Sequence, residues 1–399
     1  MNVEFPIVTG YFERKDRSYI LGEGSSNAVE VDHDFIDKIP LKKPLDGVFG
    51  HSSEGDNVFA FNYGPSTGGF MESLDLKIFT YGERILSVEA FPDFKRRDIT
   101  LKGKSLRDAF FIIERFNGFH SFSYSTLFSR AIESIENISP SPEDTGTRII
   151  LLETERIISH IYKAARLCDA ASQNIASYWL LSLREKLLRI LGEVAGHRYL
   201  FGVNRIGGLN RRIDVEKLRK DVESVVQEFR VIMKGLYSAR IFIDRLENTC
   251  ITDAKNTRGP ALRAAGRSFD YRTLDPYYGD MDFKPITERD GDSLARFLVF
   301  TAEVDASLDI IKNTKSVSME DVSKDPKSDF PIYSVETPSG DAQLTLKLES
   351  GVIADAYLRT PSMLNLDAFC SGIKGNVKTD VPFAFESFGI WISEIGGIQ

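Results

Sequence analysis

Glu153-Thr154-Glu155-Arg156-Ile157-Ile158-Ser159-His160 stands at the centre of a segment, residues 147–171, that reads as one long helix. Arg156 and His160 are four residues apart and share a helical face. Glu153 and Glu155 fall in the opening of that expected helix, where the macrodipole favours carboxylates. Upstream, Ser139-Pro140-Ser141-Pro142 breaks the chain. Downstream, helical spacing resumes over 175–195, and Gly196 is a usual stop. Residues 215–248 read as a third long helix, with Leu218, Val222, Val225, Val226 and Phe229 along one face. Residues 291–314 make a fourth. The four form a helical bundle.

The flanks read differently. Residues 1–60 alternate short β-like pieces, such as Phe5-Pro6-Ile7-Val8 and Val58-Phe59-Ala60-Phe61, with turns. Residues 74–80 and 84–90 form a hairpin around Tyr81-Gly82-Glu83. Helical spacing covers 105–115 and 120–135. Residues 253–289, rich in Gly, Pro, Asp and Tyr, form a connection long enough to be functional or to wrap a neighbour. Strands follow near 332–337, 342–349 and 353–359, then a short helix around 363–374. The fold class is α+β: a long-helix bundle flanked by small β-rich N- and C-terminal pieces. Two units are expected, a β-rich segment over 1–60 and a main domain over 61–399.

The 399 residues are 42% hydrophobic and 27% charged, ample for a buried core. With net charge −8 and no basic stripe, nucleic acid is not an expected partner. Cys168, Cys250 and Cys370 are far apart, which fits a reducing compartment. No apolar run is long enough to span a bilayer and no signal-peptide pattern opens the chain, so a cytoplasmic protein is expected.

Chemistry has few candidates among five histidines. His120, set among Phe116, Phe119, Phe122 and Tyr124, is either a packed histidine with one hydrogen bond or a titrating, ligand-contacting group. His33, His51 and His197 fall in loops or at a helix end. Asp169 lies late in its helix beside Leu167 and Cys168. Burial and the dipole would raise its pKa and suit a proton carrier; a solvated face is the alternative. Gly207-Gly208 is too short to define a phosphate loop, and no nucleotide fingerprint or nucleophile elbow occurs.

Over most of the chain, from about residue 62, a family resemblance adds to this reading. Tyr63-Gly64-Pro65 with Glu72 resembles a Gly-Pro-x-His-Pro…Glu loop. Arg96-Arg97 falls in a Tyr-x-His-Arg-Gly-Ile-like segment, and Glu155–His160 resembles Glu-Arg-Ile-x-Ser-His. Arg205-Ile206-Gly207-Gly208, Arg258-Gly259-Pro260 through Gly266, Asp270, Asp275-Pro276-Tyr277 and Gly291-Asp292 through Arg296 follow in order, then Arg359-Thr360-Pro361. Together they resemble the large subunit of nickel–iron hydrogenases and the related 49 kDa (D) subunit of respiratory complex I.

The resemblance implies a small iron–sulfur partner, with other peripheral subunits and a membrane arm on the inner face of the membrane. Arg97, His160 and Arg205 would stand near that partner's cluster, or support the interface. Glu72, His120 and Asp169 would line the pocket. No cofactor would be bound directly; flavin and nicotinamide sites lie on other subunits of such complexes, and a quinone is a possible acceptor.

The departures carry as much information. The family's two metal-binding cysteine pairs fall at Asn117/His120 and at Trp391/Glu394, so all four thiolates are absent and hydrogen activation there is not implied. Cys370 falls about twenty residues too early to substitute. The quinone-gripping histidine and tyrosine of complex I correspond to Met71 and Gly118. Three readings follow: an oxidoreductase subunit passing electrons to a quinone or other acceptor, a non-catalytic scaffold, and a different metal held by His120 and Glu394. A pocket filled by Trp391 and Phe116 favours the scaffold; an open cavity between the two segments favours an enzyme.

Overall fold

A computed structural model describes residues 7–14, 17–36, 48–66, 70–279, 281–317 and 330–398. The N-terminal sheet is antiparallel and contains β1 (Val8–Arg14), β2 (Arg17–Gly22) and β3 (Val29–Val31), followed by the one-turn helix α1 (His33–Ile36). The next sheet contains β4 (Phe49–Gly50), β5 (Phe59–Tyr63), β6 (Asp75–Tyr81) and β7 (Arg84–Phe91), in the order β4-β7-β6-β5. Its β6–β7 hairpin turns at Tyr81–Arg84, as expected. Phe5, Pro6 and residues 40–43 lie outside the described residues.

The short β8 (Asp98–Ile99) leads into α2 (Leu106–Glu114), α3 (Ser121–Glu136), α4 (Pro142–Ala170) and α5 (Asn174–Ala195). After the small ribbon of β9 (Asn204–Arg205) and β10 (Gly208–Leu209) come α6 (Val215–Tyr237), α7 (Arg240–Leu246), α8 (Pro260–Ala264) and α9 (Ser293–Asn313). The tail has β11 (Ile332–Thr337), β12 (Gly340–Glu349), β13 (Val352–Arg359), α10 (Pro361–Gly372), α11 (Val381–Phe388) and β14 (Gly397–Ile398). The architecture is α+β, with α4 packed against α5, α9, α11 and α3. Among the described residues no helix is long and apolar enough to cross a membrane.

Two helix boundaries differ from expectation, each for a local reason. The central helix starts at Pro142, not near 147, because Ser141 caps the amide of Asp144 and proline is accepted at the first turn. Glu153 and Glu155 therefore sit well inside α4, buried, and not at its dipole end. The expected single helix over 215–248 is two: α6 ends at Tyr237, and Ala239 leaves helical geometry before α7. The apolar spacing continues across that break, which hides it from periodicity. The helix α11 carried no expectation at all.

The N-terminal sheet is tied to the body. Phe12 stacks on Tyr357 of β13 at 5.0 Å, and Arg258 reaches back to Glu23 at 2.9 Å. Phe49 of β4 pairs with Ala90 of β7.

The long 253–289 connection contributes Arg263, Asp270 and Arg272 to a buried ion network. Arg263 contacts Glu303 at 2.7 Å, Glu336 at 3.0 Å and Asp270 at 3.2 Å. Arg272 holds Asp270 at 2.7 Å and Glu153 at 2.9 Å. Such a network is tolerated in a core only when nearly every charge finds a partner.

Candidate functional site

The two segments that carry Asn117 and His120, and Trp391 and Glu394, meet in the interior. One is the turn between α2 and α3, residues 115–120. The other follows α11, where Gly389 adopts a left-handed φ of 63° and ends the helix. From there Ile390 and Trp391 run into a 3-10 turn, Ile392–Glu394. Gly397 and Ile398 then pair in parallel with Asp98 and Ile99, which draws the tail beside Arg97.

Glu394 is the hub. Its Oε1 accepts from Asn117 Nδ2 at 2.7 Å and lies 3.0 Å from His120 Nδ1. Its Oε2 accepts from Ser362 Oγ at 2.6 Å. His120 Nε2 lies 3.0 Å from Ser159 Oγ on α4. All five residues are buried. Burial lowers the His120 pKa, partly offset by Glu394, so the ring is neutral near pH 7. It then donates from Nδ1 to Glu394 and accepts from Ser159. Burial opposes the Glu394 charge, but His120, Ser362 and Asn117 outweigh it and hold the carboxyl below its ordinary range.

Trp391 fills the remaining space. It is 1% exposed, stacks on Phe119 at 4.4 Å, and meets His120 edge-on at 5.4 Å. Phe119 also stacks on Tyr162 at 5.5 Å, and the Arg184 guanidinium covers that tyrosine at 4.5 Å. Phe116 is buried as well. His120 and Glu394 spend their polar atoms on each other and on Ser159 and Ser362. Among the described residues no cluster of three or more His, Cys, Asp or Glu side chains is disposed to hold a metal. The described cleft lies elsewhere, between the N-terminal sheet and α10, lined by Thr9, Arg359 and Met363 among others. At about 30 Å³ it has room for a water molecule.

The other expected site residues fall into three places. Glu72 joins the hub indirectly: its Oε2 accepts from Ser393 N at 2.8 Å and Ser393 Oγ at 3.0 Å. Burial raises its pKa, and the Ser393 bonds only partly offset this. Met71 beside it donates its backbone N–H to Glu386 at 2.9 Å. Residues 67–69 of that loop lie outside the described residues. Asp169 is not buried: its side chain is 38% exposed and pairs with Arg166 at 3.1 Å, because it lies on the outward face of the last turn of α4. The solvated alternative is the one found.

Arg97 and Arg205 are exposed, whereas His160 is interior. Arg97 Nη1 donates to the carbonyls of Arg115 and Phe116, which fixes it against the 115–120 turn. Arg205 Nε donates to Leu209 O at 3.0 Å across the β9–β10 ribbon. His160 Nε2 lies 2.8 Å from Glu303, and burial holds its pKa down to about 3. No hydrogen bond joins it to either arginine among the described residues.

Sequence reasoning missed three buried groups. Glu155 accepts the amides of Phe122 and Ser123 at 2.8 and 3.0 Å, capping α3 from a neighbouring helix. Lys163, pushed down to about 7 by burial, donates to Pro338 O at 2.6 Å. Glu386 lies in the unexpected helix α11. Lys163 stands three residues after His160 and Glu386 eight before Glu394, spacings that signal nothing without the fold.

The interior thus brings positions 117 and 120 of one segment against 391 and 394 of another. The family described as "Respiratory-chain NADH dehydrogenase, 49 Kd subunit" matches residues 173–332. The D-type subunit of the NADH-quinone oxidoreductase of Flavobacterium johnsoniae is 26% identical, over 86% of this chain and 95% of that protein. A D-type subunit of the Chloroherpeton thalassium enzyme is 25% identical over 82% and 84%. Its counterpart in Protochlamydia amoebophila is 28% identical over 65% and 67%. A chain of the membrane-bound sulfane sulfur reductase, an archaeal respiratory membrane complex, shares the fold with TM-score 0.77 and 21% identity, over 86% of this chain and all of that one. The chain is similar to complex I 49 kDa subunits at 25–28% identity, and that family's model matches part of it.

Proposed function

We propose that this chain is the large subunit of a membrane-associated oxidoreductase, related to complex I and to energy-converting hydrogenases, that works without a nickel–iron centre. It passes electrons between an iron–sulfur partner subunit and a quinone or other acceptor. The carrying observation is the closure of the former ligand pocket by the Asn117–Glu394–His120 network and Trp391. A nickel–iron pair requires soft thiolate donors; an amide, an imidazole, an indole and a carboxylate stand there, already bonded or stacked with one another. These residues do not fit that centre. On this reading the acceptor binds outside the closed pocket, on the side of Glu72. The exposed Arg97 and Arg205 face the iron–sulfur partner, and the complex sits on the inner face of the cell membrane with further peripheral subunits and a membrane arm.

A second reading, a non-catalytic scaffold, is favoured by a specific observation. Trp391 packs against Phe119 and His120, and Phe116 is buried against Tyr124, each with 1% of its surface exposed. The intact purified complex decides between them. Given reductant, it is assayed with quinone analogues and sulfur compounds as acceptors, alongside Glu72→Gln and His120→Ala. Electron transfer through this chain predicts a fall in turnover of about tenfold or more in assembled variants. Wild-type turnover in both variants, or no acceptor reduction at all, leaves the scaffold.

A further inference from the structure

Glu386 is a fully buried carboxyl with few partners. Its Oε1 accepts the Met71 amide at 2.9 Å and lies 3.8 Å from Arg166 Nη2. Its Oε2 has no hydrogen-bond partner among the described residues. Arg166 is shared: its Nη1 also holds Asp169 at 3.1 Å, and the side chains of that pair, 18% and 38% exposed, reach solvent. A lone buried carboxyl beside a solvent-facing ion pair is costly for a purely structural element.

Its surroundings lead inward. Met71 is followed by Glu72, which accepts from both the amide and the hydroxyl of Ser393. Ser393 is followed by Glu394, bonded to His120, which reaches Ser159. Glu386, Glu72 and Glu394 thus stand on segments that adjoin through the Met71 amide and through Ser393.

We propose that Glu386, with Arg166 and Asp169 at the surface, is the solvent-side mouth of a proton path that runs by Glu72 and Ser393 to Glu394 and His120. The role of the path rests on the electron-transfer reading above; its existence does not. In the step, an O–H bond of hydronium at the surface breaks, leaving water, as the Glu386 carboxylate takes the proton and forms an O–H bond. That bond breaks as the proton passes to the Glu72 carboxylate, forming an O–H bond there, and Glu386 returns to a carboxylate facing Arg166. No electrons move in this step; those for the acceptor come from the partner cluster.

Burial pushes Glu386 up to about 8, Asp169 adds to the rise, and Arg166 and the Met71 amide offset part of it. Other charged or titratable groups border α11. On α4, Tyr162 and Lys163 lie on the same side, with the Lys163 stem against Gly389. Arg245 of α7 covers Phe383, and Arg296 of α9 bonds Ser387 and covers Phe388. Asp380 immediately precedes the helix. Among these, Arg166 is the cation placed against the Glu386 carboxyl itself.

Infrared difference spectroscopy on the intact complex tests the path without requiring turnover. A protonated-carboxyl band present at neutral pH and lost at alkaline pH is expected to vanish in Glu386→Gln and persist in Glu72→Gln. After transfer to heavy water, deuteration of the Glu72 carboxyl band is expected to slow by about tenfold or more in Glu386→Gln. Glutamine still accepts the Met71 amide, and an unchanged melting temperature confirms the fold. Survival of every such band in Glu386→Gln, those of the buried Glu155 and Glu336 being assigned by their own Gln variants, or an unaltered exchange rate at Glu72, overturns the proposal. Slowed exchange in a complex that reduces no acceptor keeps the path and removes the electron-transfer reading. Where acceptors are reduced, Glu386→Gln is expected to lose the alkaline fall in rate; a wild-type pH profile there also overturns it.

Discussion

Asn117 and Glu394, 277 positions apart in the chain, share a buried hydrogen bond of 2.7 Å. An amide and an imidazole on one segment saturate a carboxylate on the other. Buried polar groups persist when matched in this way. Four consequences can be measured.

Trp391 is the largest side chain closing the pocket. Trp391→Ala removes its stacking on Phe119 and leaves a cavity beside His120. The expected loss of stability is about 3–5 kcal/mol, the usual range for truncating a buried aromatic. Urea unfolding of the variant against the wild type measures it. A loss below about 1 kcal/mol means the pocket does not depend on this indole.

The His160 pKa of about 3 lies far below the ordinary 6.5, through burial. Above pH 6.5 the ring is neutral in both folded and unfolded chains and adds no pH dependence. As pH falls from 6.5 toward 3, the unfolded chain takes a proton that the folded one refuses. Stability then drops by up to about 1.4 kcal/mol per pH unit. Glu155 and Glu336, raised to about 7 by burial, act in the opposite sense. The contrast with His160→Gln isolates the histidine: its stability is expected to fall less steeply below pH 6.5. Parallel curves for the two proteins would exclude this linkage.

Arg97 is exposed yet anchored on the carbonyls of Arg115 and Phe116. If the iron–sulfur partner docks there, its positive charge favours the reduced cluster. Arg97→Ala is expected to lower the midpoint potential of the nearest partner cluster by on the order of tens of millivolts, and Arg97→Lys by less. A redox titration followed by electron paramagnetic resonance reads it. An unmoved potential in Arg97→Ala places the cluster elsewhere.

Gly259 has φ 60° and ψ −136°, a conformation closed to other residues, and a Cβ there would meet Ser339 O at 2.3 Å and Gly340 Cα at 2.6 Å. Gly259→Ala is expected to cost about 2 kcal/mol or more. Gly103→Ala is the control, because φ is 76° there but no atom lies within 4 Å. Its smaller loss in thermal unfolding separates steric contact from backbone strain. Equal losses would mean the Ser339–Gly340 turn simply moves aside.

Much of the fold was legible because periodicity reports burial. The hairpin at 75–91, the helices α2, α3 and α5 and the three tail strands follow their apolar spacing. The failures share a cause. The break at Ala239 keeps the apolar stripe in phase, and α11 is short and nearly all buried, so neither shows a two-faced pattern. At the site, the resemblance set Glu72, His120 and Asp169 along one pocket; the structure brings His120 to Glu394 and Glu72 to Ser393 beside it, without Asp169. The motifs did not show Glu155 capping α3, Asp169 facing solvent or Glu386 lying buried. Those depend on which side of a helix meets another segment.

By itself the sequence determined the α+β bundle and which side chains stand at positions 117, 120, 391 and 394, since each is written in local spacing or residue identity. Only the tertiary structure decided what those four do together. Whether His120 and Glu394 stay vacant donors or satisfy each other depends on long-range contact, and burial makes the unpaired alternative expensive. Long-range packing also seats Trp391 against Phe119 and His120 and leaves one Glu386 oxygen without a hydrogen-bond partner among the described residues.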